Sequence, residues 1–142
     1  MAAAWDLSDF TLLKFLRLFL GSYIGESNWS VHLYKNDYTP VPGSSLSDYD
    51  EADFDGYSAQ ALNPSDWPDP SVTDHVAIAS YPDPMVFTAD AGAWSPQLVY
   101  GYWIEDADSE YLWGERFDNP REIHPSDILE LVPEIRQRTY PY

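Results

Sequence analysis

Leu98-Val-Tyr-Gly-Tyr-Trp-Ile104 and Tyr111-Leu-Trp-Gly-Glu-Arg-Phe117, joined by Glu105-Asp-Ala-Asp-Ser-Glu110, decide how this chain folds. β-Branched and aromatic residues on either side of an Asp- and Ser-rich turn predict a β-hairpin. With a period of two, Val99 and Trp103 point one way, and Leu98, Tyr100, Tyr102 and Ile104 the other. In the second strand Tyr111, Trp113 and Phe117 share a face, opposite Leu112 and Arg116. A strand that is apolar on both sides needs two covers: its own core, and a second layer or another subunit. The expectation is that a helix covers part of Tyr100, Tyr102, Trp113 and Phe117, and that a neighbouring subunit covers the remainder.

Upstream, Ser8 or Asp6 can cap a helix that runs through Phe10, Leu12, Leu13, Phe15, Leu16, Leu18, Phe19 and Leu20 and stops at Gly21 or Gly25. Its span is about residues 8–24. Its apolar residues extend well beyond a single stripe, so it should be buried on most sides. From Trp29 the period changes: Trp29, Val31 and Leu33 alternate with Ser30, His32 and Tyr34, as in a half-exposed strand. Further strands are expected over residues 56–62, 75–81 and 85–89, and over 128–135 with an interruption at Pro133. Acidic or Pro-rich loops are expected over about residues 38–55 and 63–71, and a turn region over 118–127. Ten prolines, from Pro40 to Pro125 and including Pro120, fall where the pattern predicts loop. Short strands with Pro and Gly turns predict a mainly β protein: an antiparallel β-sandwich or barrel with one N-terminal α-helix, forming a single domain over residues 1–142.

Seven Lys and Arg face 24 Asp and Glu, a formal net charge of −17. That balance disfavours direct nucleic-acid binding, because self-repulsion adds to phosphate repulsion. It suits a surface kept soluble at high local concentration, divalent-ion binding or a basic protein partner. The 44% hydrophobic content, rich in Trp, Tyr and Phe, is that of a folding chain and not of an acidic tail. There is no cysteine, hence no disulfide and no thiolate metal site. The start Met-Ala-Ala-Ala-Trp-Asp lacks a basic signal-peptide region, and the run from Leu12 to Leu20 is broken by Lys14 and Arg17. The sequence therefore predicts synthesis in the cytoplasm without a signal peptide, and no membrane span.

Glu51-Ala-Asp-Phe-Asp-Gly56 resembles the start of a calcium loop, with Glu51, Asp53 and Asp55 alternating ahead of a glycine. The loop's twelfth position would be Leu62 and not a bidentate Glu, and its first is Glu and not Asp. A solvated acidic loop is the expected reading, with no cofactor, and calcium is its alternative. His32, His75 and His124 have no ligand spacing. There is no Gly-x-Ser-x-Gly elbow, phosphate loop or dinucleotide fingerprint. Nothing in the order of residues assembles nucleophile, base and orienter, so a non-enzymatic protein is expected. Among so many aromatics some should remain for a subunit interface. Trp67, Trp94, Tyr140 and Tyr142 are candidates by their place in loops and tail, and Tyr100, Tyr102, Trp113 and Phe117 by their place in the hairpin.

In order and spacing the pieces resemble a family of small tailed-bacteriophage virion proteins, often labelled tail-fibre-like or minor structural proteins. The resemblance rests on the helix ending Leu-Phe-Leu-Gly21, on Val31-His-Leu-Tyr-Lys-Asn-Asp-Tyr-Thr-Pro40 and on Gly56-Tyr-Ser-Ala-Gln-Ala-Leu62. It continues through Val99-Tyr-Gly-Tyr-Trp-Ile104, Leu112-Trp-Gly-Glu-Arg-Phe117 and Pro120-Arg-Glu-Ile-His-Pro-Ser-Asp-Ile-Leu129. It implies a β-rich, oligomeric structural piece of a virion, with no catalytic residues. The role expected first is a capsid decoration (cement) protein bound as a trimer to the outer shell, with the major capsid protein as partner. A tail, neck or fibre component that binds other tail proteins is the alternative. From another class comes an acidic DNA mimic that inhibits a nucleic-acid-binding host protein.

Overall fold

A computed structural model describes residues 29–41, 43–74 and 76–138. The expected helix over residues 8–24 lies outside them, as do His75, Tyr140 and Tyr142. The described residues are mainly β, with three antiparallel sheets and no closed barrel. They belong to two compact units, one built from residues 29–62 and 85–131, the other from 63–84 and 132–138.

The larger unit is organised by strand β1 (Trp29–Tyr34), where the alternation read from the sequence is realised from Trp29 to Leu33. Tyr34, expected on the half-exposed face, is fully buried because Tyr49 packs against it. Trp29, Val31 and Leu33 are fully buried while Ser30 and His32 are half-buried. Strand β2 (Gln60–Leu62) pairs with β1 on one side. On the other side lies β6 (Gln97–Glu105), followed by β7 (Tyr111–Ile123), in the order β2-β1-β6-β7. The predicted hairpin is therefore present, and its first strand is buried on both faces from Gly101 to Ile104. A second ribbon joins β5 (Met85–Thr88) to β8 (Ile128–Leu131). Met85, Phe87, Leu129 and Leu131 form its buried face, while Val86, Thr88, Ile128 and Glu130 are exposed.

The smaller unit holds β3 (Ser71–Thr73), β4 (Val76–Ser80) and β9 (Glu134–Arg138), with β4 in the centre. Trp67 packs edge-on to Tyr81, with ring centroids 5.4 Å apart. The Tyr81 hydroxyl accepts from the Asn63 backbone N–H and donates to Asp66. Burial is the main reason the Tyr81 phenol titrates above its usual range.

Four sequence expectations need correction. The strand expected over 56–62 begins only at Gln60, because Gly56 turns the chain at φ +89° and a Cβ there would come within 2.6 Å of the Asp90 backbone nitrogen. The turn expected from Asp118 starts later: β7 continues to Ile123 and carries Pro120 inside it. That is tolerated because β7 is an outer strand and because residues 117–120 bulge opposite Tyr100, between the pairs Gly101↔Arg116 and Val99↔Arg121. Tyr111 does not share a face with Trp113. Leu112 is an extra residue between Ile104↔Trp113 and Glu105↔Tyr111, and that insertion turns Tyr111 to the side of Trp103 and Gly114. Finally, the strand interrupted at Pro133 is two strands, β8 and β9, assigned to different units.

Candidate functional site

On the Trp103 face of the hairpin the cover comes from the acidic loop. Tyr49 stacks on Trp103 with centroids 5.0 Å apart and meets Tyr34 and Tyr38 edge-on. Its hydroxyl lies 2.7 Å from that of Tyr111. Two glycines make room. A Cβ on Gly101 would come within 2.2 Å of the Glu115 carbonyl and 2.6 Å of the Tyr34 hydroxyl, and one on Gly114 within 2.2 Å of the Tyr49 hydroxyl. Burial pushes Tyr34 up to about 12, and it also raises Tyr49, where the Tyr111 hydrogen bond adds to the effect. Tyr111 is raised by burial as well.

The segment around Glu51 is extended and joins the sheet. Lys35 N–H donates to Asp50, Ala52 N–H donates to Leu33, and Glu51 bridges Tyr34. Ala52 and Phe54 are buried between the exposed Glu51, Asp53 and Asp55. Glu51 and Asp53 are thus laid out along an extended chain, about 7 Å apart, and Asp55 begins the turn at Gly56 that Tyr57 N–H closes on the Phe54 carbonyl. Glu51 accepts from Tyr57, while Asp53 meets Lys35 at 2.9 Å and the Gln97 amide at 2.6 Å. The Gln97 hydrogen bond, then Lys35, holds the Asp53 carboxyl below its usual range, and Asp53 in turn raises Lys35. Among the described residues no group of three or more His, Cys, Asp or Glu is arranged to hold a metal ion. In the hairpin turn, Asp106 accepts from the backbone N–H groups of Asp108 and Glu110, so its carboxylate closes the turn.

His32 is the polar centre of this face. Its Nδ1 lies 2.7 Å from Glu51 Oε1, and its Nε2 lies 2.9 Å from Glu105 Oε2 and 2.8 Å from Ser30 Oγ. The ring stacks on Trp103 at 4.8 Å, and the Trp103 indole donates to the same Glu105 carboxylate. Ser30, His32 and Glu51 stand in the order of a nucleophile, base and orienter, a grouping that sequence order did not reveal. Glu105, paired directly with Ser30 across the strands, shares the same imidazole nitrogen, so Ser30 and a carboxylate meet Nε2 together. What the arrangement does best is tie β1, β6 and the Glu51 segment together through one ring.

The aromatic interface candidates fall in different surroundings. Tyr102 is buried and its hydroxyl donates to Glu115. Trp67 is buried beside Tyr81. Both are core residues of their units and not spare surface. Trp94 is half-buried, stacked over Phe54 and donating to the Asp90 carbonyl. Trp113 is half-buried edge-on to Trp29, and Phe117 lies beside Tyr102. Tyr100, also half-buried, lies under the Arg116 guanidinium at 5.2 Å, a cation–π contact. Exposed aliphatic residues that the sequence reading passed over complete the surface: Val41, Leu46, Leu98, Val86 and Ile128 in this unit. Position in a loop or strand carried no signal for them, because exposure follows from which neighbours arrive on each face.

No family model, no curated protein and no solved structure matches this chain.

Proposed function

We propose that the chain is a non-enzymatic structural protein of a tailed-phage virion, first as a decoration protein that binds the outer shell as a homo-oligomer, a trimer in the simplest arrangement. The observation that carries this reading is the composition of the hairpin surface: half-buried Trp113 and Phe117 on the long outer strand β7, with half-buried Tyr100 and exposed Leu98 on the neighbouring β6. Interfaces are rich in such aromatics, which bury large area at small rotamer cost. The sequence resemblance points the same way. A net charge of −17 suits the outside of a shell and opposes contact with packaged DNA. Packing of the β5–β8 ribbon over the four-stranded sheet as a sandwich belongs to this reading; the Tyr57–Phe87 ring contact at 6.0 Å supports it.

The test is a copy count in purified particles. Hundreds of copies support decoration, whereas roughly three to twelve, the numbers of ring-shaped tail and neck assemblies, transfer the chain to a tail, neck or fibre role. Absence from the particle overturns both and favours the DNA-mimic reading.

A further inference from the structure

One groove in the larger unit is lined by Pro40, Val41 and Ser44 on one wall and by Tyr111, Leu112 and Trp113 on the other, with a volume of about 350 Å³. Its second wall is the start of β7, the last strand in the order β2-β1-β6-β7, so no strand lies along the far edge of β7 among the described residues. Hydrogen bonds tie the described residues of the first wall together. Ser44 Oγ takes the Val41 N–H at 2.9 Å, returns a hydrogen bond to the Val41 carbonyl at 2.8 Å, and meets the Tyr38 hydroxyl at 2.5 Å. Arg116 fixes the base of the same loop through Asp37 at 2.6 Å and the Tyr38 carbonyl at 3.2 Å. Val41, at the groove, is nevertheless 58% exposed. An apolar slot beside a strand edge that no described strand covers is the geometry in which an added strand is recognised: main chain to main chain, with alternate side chains entering the slot.

Charge selects the occupant. Most of the chain's 24 acidic residues lie in this unit, against Lys35, Arg116 and Arg121 as its Lys and Arg residues. Lys35 and Arg116 are paired with Asp53 and Asp37. Beside the groove, Glu110 and Glu115 flank the lining residues of β7 and are exposed, and Asp48 is close enough to act on the Tyr111 phenol. No Lys or Arg lines the slot. At this groove a second copy would set its own acidic residues against Glu110 and Glu115, whereas a basic segment is attracted to them.

We propose that this groove seats an extended segment of a partner protein in which basic and small apolar residues alternate, lying along the outer edge of β7. The proposal deepens the structural reading above by naming the partner's chemistry, but its test needs no virion. The probe is a short synthetic peptide of alternating lysine and valine, titrated onto the full chain at low and at moderate salt. The comparison peptides are one with the same residues in two blocks and one with glutamate in place of lysine. The alternating peptide should bind about tenfold tighter than the blocked one, weaken with salt, and slow hydrogen exchange at the backbone of residues 111–114. Val41→Asp, at an exposed position, should leave the circular dichroism unchanged. It should weaken the alternating peptide about tenfold even though it adds negative charge. Equal binding of the two lysine peptides, undiminished binding by Val41→Asp, or binding of the glutamate peptide overturns the proposal. So does a dimer of the chain alone that Val41→Asp dissociates, since the occupant is then a second copy. If the copy count fails while these results hold, the groove stands without the virion assignment.

Discussion

The Tyr49 hydroxyl occupies the space that a side chain at position 114 would need: a Cβ on Gly114 would lie 2.2 Å from it. Tyr49 is packed on Trp103, Tyr34, Tyr38 and Tyr111 and has little room to move aside. Gly114→Ala should therefore cost about 1–3 kcal/mol, the usual range for overpacking. Tyr49→Phe removes the clashing oxygen, so the same substitution in that background should cost less. Urea denaturation of the two single variants and the double variant measures the coupling, and strict additivity would show that the ring, and not the hydroxyl, sets the limit.

The two carboxylates on His32 should contribute unequally. The Glu105 side chain is 12% exposed and that of Glu51 44%. An ion pair in contact with solvent is screened and weak, while a carboxylate held by both imidazole and indole is not. Glu105→Gln should destabilise the protein by about 1–3 kcal/mol, and Glu51→Gln by less than about 1 kcal/mol, read as shifts in the denaturation midpoint. Equal costs would remove the brace role assigned to β6.

High pH should unfold the protein. Tyr34 is raised to about 12, and burial also raises Tyr49, Tyr57 and Tyr111. These groups are neutral in both states below about pH 10, where their contribution is complete. Above that the unfolded chain ionises first, so stability falls as pH climbs from about 10 through the folded value of Tyr34. Tyrosinate absorbance and far-ultraviolet circular dichroism should change together in this window. Absorbance that rises while the fold persists would show that the phenols are not buried as described. Asp53 acts in the opposite direction, losing its contribution as pH falls, but it is exposed and its effect is small.

Arg116 should govern the order of the loop through Asp37 and Tyr38. Arg116→Ala removes an ion pair, a hydrogen bond to the Tyr38 carbonyl and the cover over Tyr100. Hydrogen exchange over residues 38–44 should speed by about tenfold with global stability lowered by about 1 kcal/mol. Arg116→Lys should recover part of the ion pair but not the planar stacking. Unchanged exchange in both variants would leave the Ser44 hydrogen bonds as what holds the loop.

Local patterning was readable wherever one face of a strand meets a core and the other does not. The alternation of Trp29 to Leu33 and the two arms of the hairpin needed nothing beyond period and propensity. The loop over residues 38–55 was misread in part, because Ala52 and Phe54 are buried inside an acidic run whose charges dominate its composition. Its pairing with β1 is made by backbone groups, which composition does not encode. The calcium-loop pattern at Glu51, Asp53 and Asp55 presupposes a turn through all three, and the chain there is extended as far as Phe54 and turns only at Asp55 and Gly56.

By itself the sequence determined the strands of the hairpin, the antiparallel class and the charge of the surface, since each follows from local periodicity or from counting. Tertiary structure alone decided which faces those strands bury. One extra residue at Leu112 and a bulge at residues 117–120 reset the side on which every later side chain lies. Long-range approach alone decided that Tyr49 would cover Trp103 and that His32 would meet both Glu51 and Glu105, partners separated by many residues along the chain. Contacts of that kind depend on loop closure and on space left by Gly101 and Gly114, which no pattern within a strand records.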